Sequence, residues 1–281
     1  MKLRRLISEN IPFFLGVPAL VWQVFFLYVP ILIICVVGFG PFSMAFIAPF
    51  VSWLYACVLF RSFALALSTA LICLVVAYPV AYWLAMHQGR LRGILLFMLF
   101  IPFWTNFLLH VYAWMFLLDR QGVVNVVLQW LGLINEPLHI LNSVFATLIL
   151  MVYCYMPFMI LPLYSALEKF DIGLQEASFD LGATWWQTLW CVVVPMSMPG
   201  IRTGFFLVFV PAFGEFVIPE LVGGDKVMYV GSVIAHLVLQ AKTAALGAGF
   251  TLFSSVILVI ILAGLYLLFG RMNAPSHTSH E

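Results

Sequence analysis

Six stretches of this chain, residues 13–38, 60–86, 94–118, 141–167, 201–222 and 246–269, are apolar runs with hardly a charged side chain inside them. A bilayer core of ~30 Å is crossed by ~20 apolar residues in helical form, so each run is long enough to span one. Lipid offers no water to the backbone amides, and an α-helix satisfies them within one segment. Charged residues are only 8% of the 281, against roughly a quarter in a soluble domain, which leaves too few to cover a water-facing surface. These features predict an all-α membrane protein with about six transmembrane helices. The membrane domain is expected over 13–272, a short N-terminal segment over 1–12 and a disordered polar tail over 273–281. Residues 39–59, apolar but carrying Pro41 and Pro49, suit a short re-entrant or interfacial piece.

Orientation follows from the basic residues, which are retained on the cytoplasmic side of short loops. With the N-terminus inside, that side holds Lys2, Arg4, Arg5, Arg90, Arg92, Lys169, Arg202 and Arg271, and the other holds Arg61, Arg120, Lys226 and Lys242. Both termini are therefore expected in the cytoplasm. The first apolar run is longer than a signal-peptide core and lacks a small-residue cleavage site, so it is expected to remain as the first span. A net charge of +1 with no basic cluster beyond Lys2, Arg4 and Arg5 offers nothing to nucleic acid. The five cysteines and six histidines show no metal-ligand spacing, and no GxxxxGK[ST] loop is present to cradle a nucleotide.

Between the fourth and fifth runs lies a cytoplasmic stretch, 168–200, longer than a connector between packed helices needs to be. Its first part reads as a short helix with Asp171 as N-cap. Gly182 permits a sharp turn or a close approach, and a second short helix from Thr184 carries Trp185 and Trp186. Such a knob suits a groove on a partner. The alternative is an amphipathic hairpin lying on the membrane surface.

Glu176-Ala177-Ser178, with Gly182 four residues after Ser178 and Pro195 thirteen after Gly182, resembles the EAA motif of binding-protein-dependent ABC importer permeases. Ser178 stands where the family usually has a second Ala. Pro102-Phe103-Trp104-Thr105-Asn106, Arg120-Gln121-Gly122, Leu161-Pro162-Leu163-Tyr164 and Gly214-Glu215-Phe216-Val217-Ile218-Pro219-Glu220-Leu221-Val222-Gly223-Gly224 resemble the polyamine permeases of that superfamily. The resemblance covers roughly residues 60 to 270 and implies a type I ABC importer-like permease fold in the bacterial inner membrane. It implies a second homologous permease, two ATPase subunits that bind ATP and Mg, and an extracytoplasmic substrate-binding protein. No catalysis and no cofactor are then expected in this chain. Glu176, Ala177, Asp180, Gly182 and Pro195 would transmit the ATPase motion to the spans.

Charged groups within spans are costly and are functional candidates by default. Glu215 lies in the fifth run with Pro211 and Pro219 four residues to either side, on one face of a continuous helix. Pro219 would free the Glu215 carbonyl, which with the carboxylate would make an oxygen-rich spot for an ammonium group. The alternatives are pairing with a Lys or Arg of the partner permease, or a protonated structural acid. Glu220, nearer the outer end, suits a rim. In the third run Trp104 and Tyr112 share a helical face, with Asn106 between them and Pro102 breaking the helix just before. A desolvated aromatic face attracts an ammonium by up to ~2 kcal/mol, although packing or an interfacial belt would also use such residues. Tyr153 and Tyr155 are expected to pack.

Together these readings point to import of small organic cations. An anion or metal cargo in the same framework would call for Arg or Lys within the spans. A membrane-embedded lipid enzyme would call for clustered Asp, His or Glu at the surface. A secondary transporter would call for two repeated halves.

Overall fold

The computed structural model describes residues 2–39, 52–87, 89–224, 227–240 and 243–271, with side chains except at 2–15, 39, 102, 103 and 271. The elements are α1 (Lys2–Phe39), α2 (Trp53–Met86), α3 (Arg90–Trp104), α4 (Phe107–Leu118), α5 (Val123–Trp130), α6 (Val144–Leu167), α7 (Ile172–Asp180) and α8 (Trp185–Thr188). A π-helical turn (Leu189–Val193) follows, then α9 (Val194–Phe213), α10 (Val217–Val222), α11 (Val230–Leu239) and α12 (Ala244–Arg271). The segment around Pro41 and Pro49, Lys226, Lys242 and the expected tail 273–281 lie outside the described residues.

Among the described residues, five segments are long and apolar enough to cross a bilayer: Gly16–Gly38, Trp53–Met86, Val144–Leu167, Trp185–Phe213 and Ala244–Gly270. The expected third span is split. α3 continues through position 102 to Trp104, and the break falls where Asn106 turns extended and its side chain caps the Leu108 amide at 2.9 Å. At 1.5 Å per residue neither half reaches across ~30 Å. The expected fifth span is displaced as well, because helix runs on from Trp185 to Phe213 and residues 214–216 separate it from α10.

The chain forms two compact units. One holds residues 1–55 and Ile234–Ile257. Within it Gly38 lets α1 approach α12, since a Cβ there would stand 2.9 Å from Leu252 Cδ1. Tyr55 and Phe250 pack with ring centroids 5.0 Å apart, and Thr243 Oγ1 donates to the Leu237 carbonyl at 2.9 Å across the turn between α11 and α12.

The other unit, Ala56–Val233 with the remainder of α12, is organised around the α6 and α9 pair. Gly200 and Gly204 form a small-xxx-small stripe that lets these backbones close on each other. A Cβ at Gly200 would lie 2.6 Å from the Pro162 carbonyl oxygen, and one at Gly204 2.8 Å from Met159 Sδ. Leu150, Met151, Met159, Leu163, Val208 and Phe209 are fully buried there. α2 is tied to this pair by the Tyr78 and Ser197 hydroxyls, 3.0 Å apart. Arg202 Nη2 donates to the Phe269 carbonyl, a free acceptor in the last turn of α12.

Asn125 organises the stretch after α4. Fully buried on α5, it donates to the Asp119 and Leu138 carbonyls at 3.2 and 3.0 Å and accepts from the Leu138 amide at 2.9 Å. Removing the side chain breaks the three hydrogen bonds that tie α5 to Asp119 and Leu138, at about 2 kcal/mol. Asn125→Ala is therefore expected to lower the thermal midpoint of the solubilised protein, and an unchanged midpoint would contradict this role.

Candidate functional site

The site forms where the long helix gives out. Pro219 has no N–H to offer the Glu215 carbonyl four residues earlier, which weakens a helix through this stretch, and here the helix breaks at 214–216. α9 ends at Phe213, Gly214 caps it, and α10 restarts at Val217. The amides at the start of α10 have no helical acceptors, and the Glu215 carboxylate takes that place. Oε1 accepts from the Phe216, Val217 and Ile218 amides at 3.1, 3.0 and 3.5 Å. Oε2 accepts from the Tyr155 hydroxyl of α6 at 2.6 Å. All four partners donate, which is what an acceptor-only carboxylate satisfies. Glu215 is half-buried, and among the described residues no Lys, Arg or His forms an ion pair with it.

The continuous face expected for Pro211, Glu215 and Pro219 therefore does not exist. The three residues lie on two helices and the break between them, and the Glu215 carbonyl lies against α11 at Gly231. The far end of α10 is seated on the start of α6. A Cβ at Gly223 would meet Thr147 Oγ1 at 2.8 Å, Gly224 adopts a positive φ of 73°, and the Asn142 amide donates to the Val222 carbonyl at 2.9 Å. The Gly223-Gly224 pair thus serves close packing at the end of α10.

A cleft of about 300 Å³ opens beside α6, lined by Met98, Thr105, His110, Tyr153, Cys154 and Pro157 among others. Thr105 Oγ1 lies 3.1 Å from the His110 ring, and the Trp114 and Tyr153 ring centroids are 5.3 Å apart. Trp104 and Tyr112 do not share a helical face, because one ends α3 and the other belongs to α4. Both are exposed on this chain, and Trp104 meets Phe97 edge-on at 5.5 Å. Asn106 serves as the α4 cap, and Glu220 is exposed in the first turn of α10. The structure thus joins Glu215 to Tyr155, a residue expected to pack, and leaves Trp104, Asn106, Tyr112 and Glu220 outside the Glu215 hydrogen bonds. A mid-span tyrosine in a chain with a mid-span acid was the available signal, since buried acids seek donors.

In the stretch 168–200, Asp171 caps α7 through its side chain at 2.9 Å from the Gly173 amide. Gly182 has φ 84°, and the Gly182 and Ala183 amides donate back to the Phe179 and Ser178 carbonyls at 2.9 and 3.1 Å. That is the Schellman arrangement, with glycine in the left-handed position. Thr184 and Gln187 form a capping box that starts α8, but α8 is not a separate helix: it runs through the π-helical turn into α9, with Pro195 in the first turn of α9. Ser178 Oγ lies 2.8 Å from Thr188 Oγ1 and braces α7 against α8. Tyr82 of α2 donates to Gln175 at 3.2 Å, and Arg92 pairs with Glu168. Glu176, Ala177, Asp180 and Gly182 are exposed, as are Leu181, Trp185 and Trp186.

Residues 77–274 match the family described as binding-protein-dependent transport system inner membrane component. The chain belongs to this family. This inner membrane component is 36% identical over 262 residues, 90% of each chain, to the spermidine/putrescine transport system permease protein PotB of Haemophilus influenzae. It is 40% identical over 220 residues, 78% of each chain, to the protein of the same name from Escherichia coli. In fold it is similar to a chain of a bacterial alginate ABC transporter solved in complex with an alginate pentasaccharide-bound periplasmic protein. The TM-score is 0.74 at 17% identity, covering 98% of this chain and 99% of that one. The long apolar helices of this inner membrane component make it a multi-pass protein with an ABC importer permease fold.

Proposed function

We propose that the chain is a permease subunit of an ATP-driven importer that carries the polyamines putrescine and spermidine across the bacterial inner membrane. The observation that carries this reading is the Glu215 carboxylate, half-buried at a broken helix and held by four donors, with no cation among the described residues paired to it. A carboxylate so placed attracts an ammonium group, and the cost of burying the acid is offset when the cation arrives. The likeness to two permeases named for spermidine and putrescine supports the same cargo. An oxyanion would want a free guanidinium or ammonium in that position, whereas Arg202 is bonded to the Phe269 carbonyl and Arg92 to Glu168.

Trp104, Asn106 and Tyr112, exposed on this chain, would line the pathway together with a second, homologous permease subunit, and Glu220 would stand at its rim. With both termini in the cytoplasm and α3 and α4 together making one crossing, the α7 and α8 hairpin would lie on the side of two ATPase subunits that hold ATP and Mg. An extracytoplasmic binding protein delivers substrate to the opposite face. This chain hydrolyses nothing. Closure of the ATPase pair would act on Glu176, Ala177, Asp180 and Gly182, and the continuous path from α8 through Pro195 into α9 would carry the motion to the Glu215 break.

Uptake of labelled putrescine and spermidine, in cells without other polyamine importers and with this gene deleted or restored, tests the proposal. Energy-dependent uptake should return with the gene, and equal uptake in both strains would overturn the polyamine cargo. Tyr155→Phe keeps the ring but leaves Oε2 one donor short, a loss of about 1 kcal/mol. Initial uptake rates should fall by roughly fivefold at unchanged protein level, and an unaltered rate would remove Tyr155 from the site.

A further inference from the structure

The Glu215 break rests against a glycine of another helix. A Cβ on Gly231, in the first turn of α11, would stand 2.4 Å from the Gly214 carbonyl oxygen, 2.8 Å from the Glu215 carbonyl oxygen and 2.9 Å from Phe216 Cβ. Two of these three neighbours are backbone atoms, which cannot swing aside as a flexible side chain would. Gly231 is fully enclosed, with Val230 and Ser232 buried on either side. The start of α11 is itself fixed: the buried Ser62 hydroxyl of α2 accepts from the Val230 amide at 2.8 Å. That amide is a helix N-terminal donor with no acceptor of its own helix, so Ser62 holds α11 at a set height against the break.

We propose that Gly231 is a positioning residue for the Glu215 carboxylate, with the Ser62-anchored start of α11 as its support. The carboxylate belongs to the middle residue of the break, so its place in the unit follows from where the Gly214 and Glu215 carbonyls rest. A hydrogen at position 231 lets them sit flush on α11, and a methyl pushes the break off by about an ångström, far enough to lose a directional contact with an ammonium group. The inference rests on the reading of Glu215 as the group that meets a cation.

The test is a double-mutant cycle on labelled putrescine uptake, with the full chain and its transport partners in cells lacking other polyamine importers. Rates are read over a concentration range wide enough to rank the weakest variant and are normalised to the amount of chain in the membrane. Gly231→Ala should lower uptake at limiting putrescine by about tenfold, within the range of coupled neighbours. Added to Glu215→Gln, it should lower uptake by less than about twofold, because the contact it misplaces is already gone. Ser62→Ala adds no bulk and serves where Gly231→Ala fails to accumulate: it should show a smaller loss with the same dependence on Glu215. Equal fold-losses in both backgrounds, or no loss in the wild-type background, would overturn the positioning role while leaving the cation site standing. Unchanged uptake in Glu215→Gln alone would overturn the cation site itself.

Discussion

Glu215→Gln is expected to cut putrescine uptake by about thirtyfold, the equivalent of about 2 kcal/mol for a hydrogen bond to a charged group. The substitution isolates the charge. A Gln side chain of the same length keeps an oxygen for the Phe216, Val217 and Ile218 amides, and its amide nitrogen can donate to the Tyr155 oxygen, which also accepts. The break between α9 and α10 should therefore survive, and the protein should reach the membrane at the wild-type level. What the variant lacks is the negative charge for the incoming cation. Uptake kinetics with quantified membrane protein check this. A wild-type rate at limiting substrate would remove Glu215 from the pathway, and loss of the protein from the membrane would make its role structural.

Gly182→Asp is expected to abolish coupling without disturbing the fold of the spans. Apart from its two chain neighbours, no described residue comes within 4 Å of a Cβ built at Gly182, so the side chain has room within the chain itself. Two costs remain. The positive φ of 84° strains any residue with a Cβ by about 1–2 kcal/mol, although Asp visits this region more readily than most residues. The second cost falls on the partner: beside the exposed Leu181, Trp185 and Trp186, a carboxylate would enter whatever groove receives the hairpin. An unpartnered charge in a dry interface costs several kcal/mol. Uptake should drop by more than about thirtyfold, and ATP hydrolysis by the assembled transporter should stop responding to loaded binding protein. Gly182→Ala, which carries only the backbone strain, should lose far less. Normal uptake by Gly182→Asp would contradict docking at this turn, and equal losses for both variants would assign the effect to strain.

Local signals were readable from the sequence, and tertiary ones were not. Of the six long apolar runs, four recur as spanning helices, because lipid leaves an apolar chain little alternative to helix, while the third is split and the fifth is displaced. Asp171 and Gly182 were legible because capping and left-handed turns depend on residues a few positions apart. Pro102 predicts a break in the third run, yet the chain stays helical to Trp104 and yields at Asn106, whose side chain can cap a new helix. The break at 214–216 was signalled by Gly214 between Pro211 and Pro219, but spacing alone also fits one kinked helix. α5 and α11 are too short for periodicity to declare them. Tyr155 and Glu215 meet across 60 positions, and Gly231 presents no side chain by which a sequence could announce what it touches.

The most direct measurement is ATP-driven accumulation of labelled putrescine in proteoliposomes holding the purified transporter and its binding protein, with the wild-type chain and with Glu215→Gln. The wild type should accumulate putrescine only with ATP, unlabelled spermidine should compete while molybdate does not, and Glu215→Gln should accumulate far less. Accumulation that molybdate suppresses, or that is the same with and without the Glu215 carboxylate, would contradict a polyamine pathway built on this residue.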